Sequence, residues 1–341
     1  MNVNALGYLV CPRCEGGLRV DGSPSEEIQI GVLGCTGCEN RYQVQNGVPL
    51  LLDDPDLADG ATSKLYSDIW KQYSKPSQQA RKSRGYRAAA TSHLELLQKA
   101  SGWELAQGAI GIDAGCGSGS TTIEIAGRYP AIQFVGIDLS DGIMRWAGEA
   151  STRANVQLVR GDLLAPPLAR NAFDFAFSFG VLHHTPDPES TFRRLLDRLR
   201  PGGRITIFLY KDFSDIPVKR WLLLQVNRLR SITTRLSPRT LRAIARCGAP
   251  FVFIGLTMPA RALHRLGAER LGRHIPYGTF PGMSSIASSL EDRFGAPYEH
   301  RFNIGALQGW ADRAGLVNSR VIDCLPYGFS GLVLAGEKAR R

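Results

Sequence analysis

Four cysteines stand in two pairs, Cys11-Pro-Arg-Cys14 and Cys35-Thr-Gly-Cys38, about 20 residues apart. Each C-x-x-C presents two thiolates at one tight turn, and two such turns facing each other close a tetrahedron around a zinc ion. A thioredoxin-like redox pair needs only one C-x-x-C in a βαβ context, so the doubled spacing reads as a zinc ribbon with Cys11, Cys14, Cys35 and Cys38 as ligands. Four thiolates leave no open coordination position, which makes the metal structural. In a segment of about 45 residues with little core of its own, it would supply much of the stability.

A second constellation begins in "GIDAGCGSGS", residues 111–120, where Gly115, Gly117 and Gly119 alternate with small residues directly after an apolar run. A dinucleotide site wants G-x-G-x-x-G with a pyrophosphate on the following helix N-terminus. Here the pattern is G-x-G-x-G preceded by Asp113, and a carboxylate beside a pyrophosphate repels it. Asp113 suits a cationic ligand better. Cys116, inside the loop with no histidine partner implied, reads as structural rather than as a nucleophile. Two more acids follow apolar segments: Asp138 closes "AIQFVGIDLS", where a carboxylate can accept both hydroxyls of a ribose, and Asp162 follows "VQLVRG".

The elements that must position these acids are legible. Ala109–Ala114 predicts a strand, and "STTIEIAGRYP" predicts a helix ended by Pro130. Further strands are expected at 131–138, at "VQLVRG" and at "FDFAFSFG". A helix follows in "PESTFRRLLDRLR", then a fifth strand after Pro201-Gly-Gly. Taken as an ordered set over about 108–211, these segments resemble the class I S-adenosylmethionine-dependent methyltransferases, near the branch of the ubiquinone and menaquinone enzymes. Residues from about 5 to 53, with Tyr42-Gln-Val44 and Gly47-Val-Pro49-Leu-Leu after the cysteines, resemble the small zinc-ribbon subunit that activates certain tRNA, rRNA and protein methyltransferases.

These resemblances imply site roles. Gly115, Gly117 and Gly119 would approach the methionine part of the cofactor, with Asp113 near its ammonium. Asp138, with Leu139 beside it, would bind the ribose. Asp162 would meet the adenine amino group, with Leu163 packed on the ring, and Phe179 belongs to the same cofactor-binding set. Tyr66, Trp70 and Tyr73 fall on one helix face in "SKLYSDIWKQYSK"; they are either core packing or an aromatic lid that adds Tyr66 and Trp70 to that set.

The sulfonium is already activated, so catalysis is chiefly in-line positioning, and only an acceptor with a proton to lose needs a base. His183 and His184 in "VLHHTPDP", and His300 in "PYEHRF" with Tyr298, are the candidates, His184 first. His93, His264 and His274 show no partner.

The 341-residue chain is 43% hydrophobic with a formal charge of +10. No basic n-region with a long apolar stretch opens the sequence, and the longest later apolar run, Gly248–Ala260, is interrupted by prolines; a cytoplasmic protein is expected. Between Phe213 and Arg273 twelve basic residues face Asp215 and Glu269 alone. Arg235, Arg239, Arg242 and Arg246 follow a 4-3-4 spacing that predicts one basic helix face. That face is read in three ways: solvated over a substrate lid, in contact with an anionic membrane or lipid-like substrate, or bound to RNA.

The expectation is therefore an α/β protein built on a Rossmann-like seven-stranded sheet. It divides into a zinc ribbon (1–53), a linker with N-terminal helices (54–107), a methyltransferase domain (108–212 and 300–341) and a basic helical lid (213–299). The expected activity is O- or N-methylation of a small-molecule acceptor, biosynthetic or lipid-like. The alternatives are an rRNA or tRNA methyltransferase and a non-catalytic S-adenosylmethionine-binding scaffold. The sequence leaves the oligomeric state open.

Overall fold

The computed structural model describes residues 1–22, 27–54, 56–73, 98, 102, 106–272, 275–278, 280, 282–325 and 329–340. His93, His274, Arg273 and most of the expected 54–107 segment lie outside them.

Apolar runs buried on both faces form the central strands, as parallel sheets require: β5 (Ile110–Ala114), β6 (Gln133–Asp138), β7 (Val156–Gly161), β8 (Phe173–Phe179) and β9 (Leu199–Tyr210). All neighbouring pairs among them are parallel. The terminal hairpin, β10 (Leu316–Asp323) and β11 (Gly331–Lys338), adds β11 antiparallel to β9. The order β7-β6-β5-β8-β9-β11-β10 is the expected seven-stranded α/β sheet.

The ribbon does not stand apart from this sheet. Its antiparallel strands β1 (Leu18–Val20), β2 (Ile30–Cys35), β3 (Arg41–Gln45) and β4 (Val48–Leu51) continue it, because β4 pairs parallel with β7 through Leu50–Arg160 and Leu51–Gly161. Eleven strands thus form one sheet. A second seam runs over the strand ends. The Val10 N–H donates to the Pro167 carbonyl at 3.1 Å, and the Ala169 N–H to the Tyr8 carbonyl at 2.9 Å. Glu15, in the cysteine turn, accepts from the buried Arg198 at 2.7 Å and from Arg170 at 2.7 Å. These guanidiniums, Arg170 foremost, hold the Glu15 carboxyl down at about 2.

Helix α1 (Ala61–Tyr73) follows the ribbon, and α2 (Ser120–Arg128) and α3 (Pro188–Arg198) cover the sheet. The insertion after β9 is helical, as expected: α4 (Pro217–Thr233), α5 (Pro238–Arg265) and α6 (Met283–Gly295), followed by α7 (Ile304–Arg313).

Two expectations about it are corrected. Thr234 to Ser237 breaks the chain between α4 and α5, with Ser237 capping α5 through the Thr240 N–H, so Arg235 lies in the turn and the four-arginine face does not form on one helix. The prolines do not interrupt the apolar run either. α5 continues through Pro250, widens to π-helical turns over Phe253–Thr257 just ahead of Pro259, and runs for 28 residues.

Several lid arginines are used internally. Arg242 pairs with Asp68 of α1 at 2.9 Å, Arg246 donates to Gln72 at 2.8 Å, and Arg230 is buried against Glu299 at 3.1 Å. Leu65 and Ile69 of α1 pack with Leu241 of α5 beneath these contacts.

Leu51 is fully buried where ribbon and central sheet meet. Leu51→Ala should cost about 2–5 kcal/mol. Hydrogen exchange should accelerate in both β2–β3 and β6–β7, and acceleration confined to the ribbon would show that it unfolds as a separate unit.

Candidate active site

The glycine loop is fastened where β6 ends. The Gly115 and Cys116 N–H groups both donate to the Ile137 carbonyl, at 2.8 and 3.1 Å. The chain then turns through Gly117 and Gly119, both at positive φ, into α2. A Cβ at Gly117 would strike the indole of Trp70, so this glycine is required by close approach as well as by conformation. One oxygen of Asp138 accepts the Gly117 N–H at 2.8 Å, and the other accepts the Ser140 N–H at 2.8 Å and its hydroxyl at 2.6 Å.

Asp113, Asp138 and Asp162 stand at or just past the carboxyl ends of β5, β6 and β7, the edge where open parallel sheets bind ligands. Asp113 is buried and accepts the Thr122 hydroxyl at 2.6 Å. Loss of water, and then repulsion from Asp138, push its carboxyl up to about 7 despite that hydrogen bond. Burial also raises Asp138 and Asp162, opposed in Asp138 by the Ser140 and Gly117 donors and in Asp162 by the Leu164 N–H.

A cavity of about 610 Å³ connects these acids to a second group of side chains. One end is lined by Asp113, Gly115, Cys116, Asp138, Leu139, Asp162 and Leu163, with Tyr66 and Trp70 of α1 along the wall. The aromatic helix is therefore both packing and lining. Phe179 lines the cavity too, stacked on Phe208 at 4.4 Å. The other end holds His184, Tyr210 and the α6 residues Ser284, Ser285, Ser288, Ser289 and Asp292.

The three candidate histidines are not equivalent. His184 donates from Nδ1 to the Tyr298 carbonyl at 2.8 Å, since a carbonyl can only accept, which leaves Nε2 as the basic nitrogen of the neutral ring. Nε2 lies 3.7 Å from Asp292 Oδ1, which in turn accepts the Tyr66 hydroxyl at 2.8 Å. His183 is fully buried behind it, its ring 3.8 Å from that of Tyr210, and burial pushes its pKa well down. Neither His183 nor His300 lines the cavity. His300 meets His183 through its backbone, its N–H donating to the His183 carbonyl at 2.8 Å.

Sequence reasoning missed Asp292, Tyr210 and the α6 serines. The available signal was Ser-Ser-x-x-Ser-Ser with Asp292 three and four residues on, a run of polar residues at helical spacing.

In the ribbon, the Sγ atoms of Cys11, Cys14, Cys35 and Cys38 lie within 4.8 Å of one another, with Cys11–Cys38 at 3.7 Å and Cys14–Cys35 at 3.4 Å. Bonds of about 2.3 Å to a tetrahedral zinc separate sulfurs by about 3.8 Å, so the donor set and its spacing fit that ion. The Gly37 N–H donates to Cys35 Sγ at 3.2 Å, and the Tyr42 hydroxyl lies 3.0 Å from Cys11 Sγ, the outer partners that steady thiolate ligands. Gly16 closes the cluster, where a Cβ would press on Cys14 and Cys35.

Residues 112–207 match the family described as methyltransferase domain. The tRNA (carboxymethyluridine(34)-5-O)-methyltransferase of Saccharomyces cerevisiae is 36% identical over 106 residues, 30% of this chain and 36% of that protein. The trans-aconitate 2-methyltransferase of Methylobacterium radiotolerans is 27% identical over 208 residues, 61% of this chain and 68% of that one. The chain thus spans about a third of the yeast relative's length. An S-adenosylmethionine-dependent methyltransferase from Mesorhizobium loti superposes with a TM-score of 0.44 at 16% identity, covering 72% of this chain and 98% of that one. The domain match over residues 112–207 agrees with the strand order and the ligand edge, so this part of the chain is similar to methyltransferase domains.

Proposed function

We propose that the protein, acting in the cytoplasm, methylates an oxygen or nitrogen of a small-molecule acceptor, biosynthetic or lipid-like. The observation that carries this reading is the single cavity joining the acidic strand ends to His184. S-adenosylmethionine supplies a methyl group already activated on a sulfonium. What remains for the chain is to hold it, align an acceptor and receive the acceptor's proton.

At the cofactor end, Asp113 would face the ammonium of the amino-acid moiety and Asp138 the ribose. Oδ2 of Asp138 accepts the Gly117 N–H and Oδ1 accepts both Ser140 donors, so a diol would take one place from the Ser140 hydroxyl. Asp162 and Leu163 would meet the adenine. Trp70 and Tyr66 would close the cavity wall over Gly117.

At the acceptor end, His184 Nε2 would take the proton as the acceptor's O or N forms its bond to the methyl carbon and the carbon–sulfur bond breaks. The imidazolium so formed is stabilised by Asp292, itself steadied by Tyr66. The serine face of α6 offers the acceptor hydroxyls to hydrogen-bond. The RNA reading draws on the yeast relative's name and the lid's charge, but the serine-lined end of the cavity favours a small polar or amphiphilic acceptor.

In the ribbon, Cys11, Cys14, Cys35 and Cys38 would hold one structural zinc that fixes the turn carrying Glu15 against Arg198. Elemental analysis of protein purified without chelator should find about one zinc per chain; none would remove this assignment.

Asp113 must ionise to pair with an ammonium, and its carboxyl sits near 7 in the free protein. The affinity for S-adenosylmethionine should therefore rise as pH increases through about 7, and Asp113→Asn should flatten that dependence. Titration calorimetry between about pH 6 and 8 checks the slope.

His184→Ala should leave cofactor affinity within a fewfold of wild type while lowering turnover by about 10²–10⁴. Single-turnover rates measure this, and near wild-type turnover would mean that transfer relies on positioning alone. Intact cofactor binding with no turnover of any acceptor by the wild type would instead favour the silent scaffold.

A further inference from the structure

The outer layer of the lid carries a surface that the cavity does not use. α5 turns Leu241, Ala245, Ala249 and Ala260 inward, where all are buried; Ala249 packs on Ile286 and Ala287 of α6 and Leu241 on α1. Its other face carries Ile244, Phe251, Ile254 and Met258, separated by seven, three and four residues and therefore aligned. They are 52, 78, 64 and 52% exposed. At 1.5 Å per residue this apolar stripe is about 21 Å long.

The charges around it are of one sign. No Asp or Glu occurs between Pro238 and Arg265, nor in α4, and Arg239 and Arg265 are exposed at the two ends of the stripe. By length and composition the 28-residue helix is long and apolar enough to cross a membrane. Spanning would strip its inner face from α6 and α1, along with the Arg242–Asp68 pair. An apolar stripe edged by arginines on a helix anchored from behind is suited to lying in the plane of an interface.

We propose that this face of α5 docks the protein on an anionic lipid bilayer. Two other occupants fit less well. A second copy of the chain would set arginines against arginines with no acid on the helix to meet them. Single-stranded RNA would use the arginines but leave Ile244, Ile254 and Met258 unmatched, because such surfaces rely on aromatic stacking along a basic groove. Only a bilayer carrying negative headgroups over acyl chains takes both the aliphatic stripe and the cations beside it.

The test floats the full-length protein with vesicles of phosphatidylcholine alone and of phosphatidylcholine containing about 30% phosphatidylglycerol, at low and at about 0.5 M salt. Binding is expected to the anionic vesicles, weakening with salt. Phe251→Asp combined with Ile254→Asp, and separately Arg239→Glu combined with Arg265→Glu, should each lower the partition coefficient about tenfold or more with the circular dichroism spectrum unchanged. Should a double variant misfold, Phe251→Ser alone should move binding in the same direction. Failure of the wild type to bind either vesicle overturns the proposal, as does undiminished binding by the apolar variants. A dimer in sedimentation velocity that Phe251→Asp dissolves, without vesicle binding, assigns the face to a second copy. Salt-sensitive binding of an RNA oligomer that only the arginine variant loses, again without vesicle binding, assigns it to RNA.

Discussion

Two carboxylates, the buried Asp113 and the half-buried Asp138, stand at the ends of adjacent parallel strands and repel each other. Much of the local architecture can be understood as making that arrangement tolerable. The Thr122 hydroxyl comes from the first turns of α2, the Gly117 N–H from the glycine loop, and the Ser140 donors from the turn after β6. Arg160 stands close by, donating to the Leu139 carbonyl and pairing with Asp141. Neutral donors lessen the repulsion without cancelling it, so the site favours a ligand that brings positive charge. A carboxylate kept dry and short of partners is a poor structural element and a good receptor.

The ribbon bears on this arrangement from a distance. β4 pairs with β7, and β7 carries Asp162 just beyond its end, so the register that seats Leu51 opposite Gly161 also sets the height of one cofactor-side acid. Glu15 fastens the cysteine turn to the opposite edge, through Arg198 beside the amino ends of β8 and β9. The ribbon is thus joined to the ligand edge through the β4–β7 pairing.

The central sheet was legible because its strands are continuous apolar runs punctuated by Gly, Asp and Pro, a code that depends on local pattern alone. The cysteine cluster was legible for the same reason, as two short motifs. The acceptor end was not. Asp292 is brought to His184 by α6, more than a hundred residues later in the chain, and nothing in either local sequence announces the other. The arginine repeat misled because spacing was read across a break: Ser237 is an excellent cap, and a cap starts a new helix. The prolines misled in the opposite direction, since α5 runs on through Pro250 and through a π-helical widening just ahead of Pro259. Of the three histidines, His184 is the one that lines the cavity, and that placement is a tertiary property.

Carrying the ribbon in the same chain alters how the sheet edge behaves on dilution. A separate subunit that covered β7 would leave a row of backbone donors and acceptors bare whenever it dissociated, and the fraction left bare would depend on protein concentration. Here β4 is tethered, so its pairing with β7 is an intramolecular equilibrium governed by effective concentration. The stoichiometry of edge and cover is fixed at synthesis, and scarcity of one component cannot leave the other exposed.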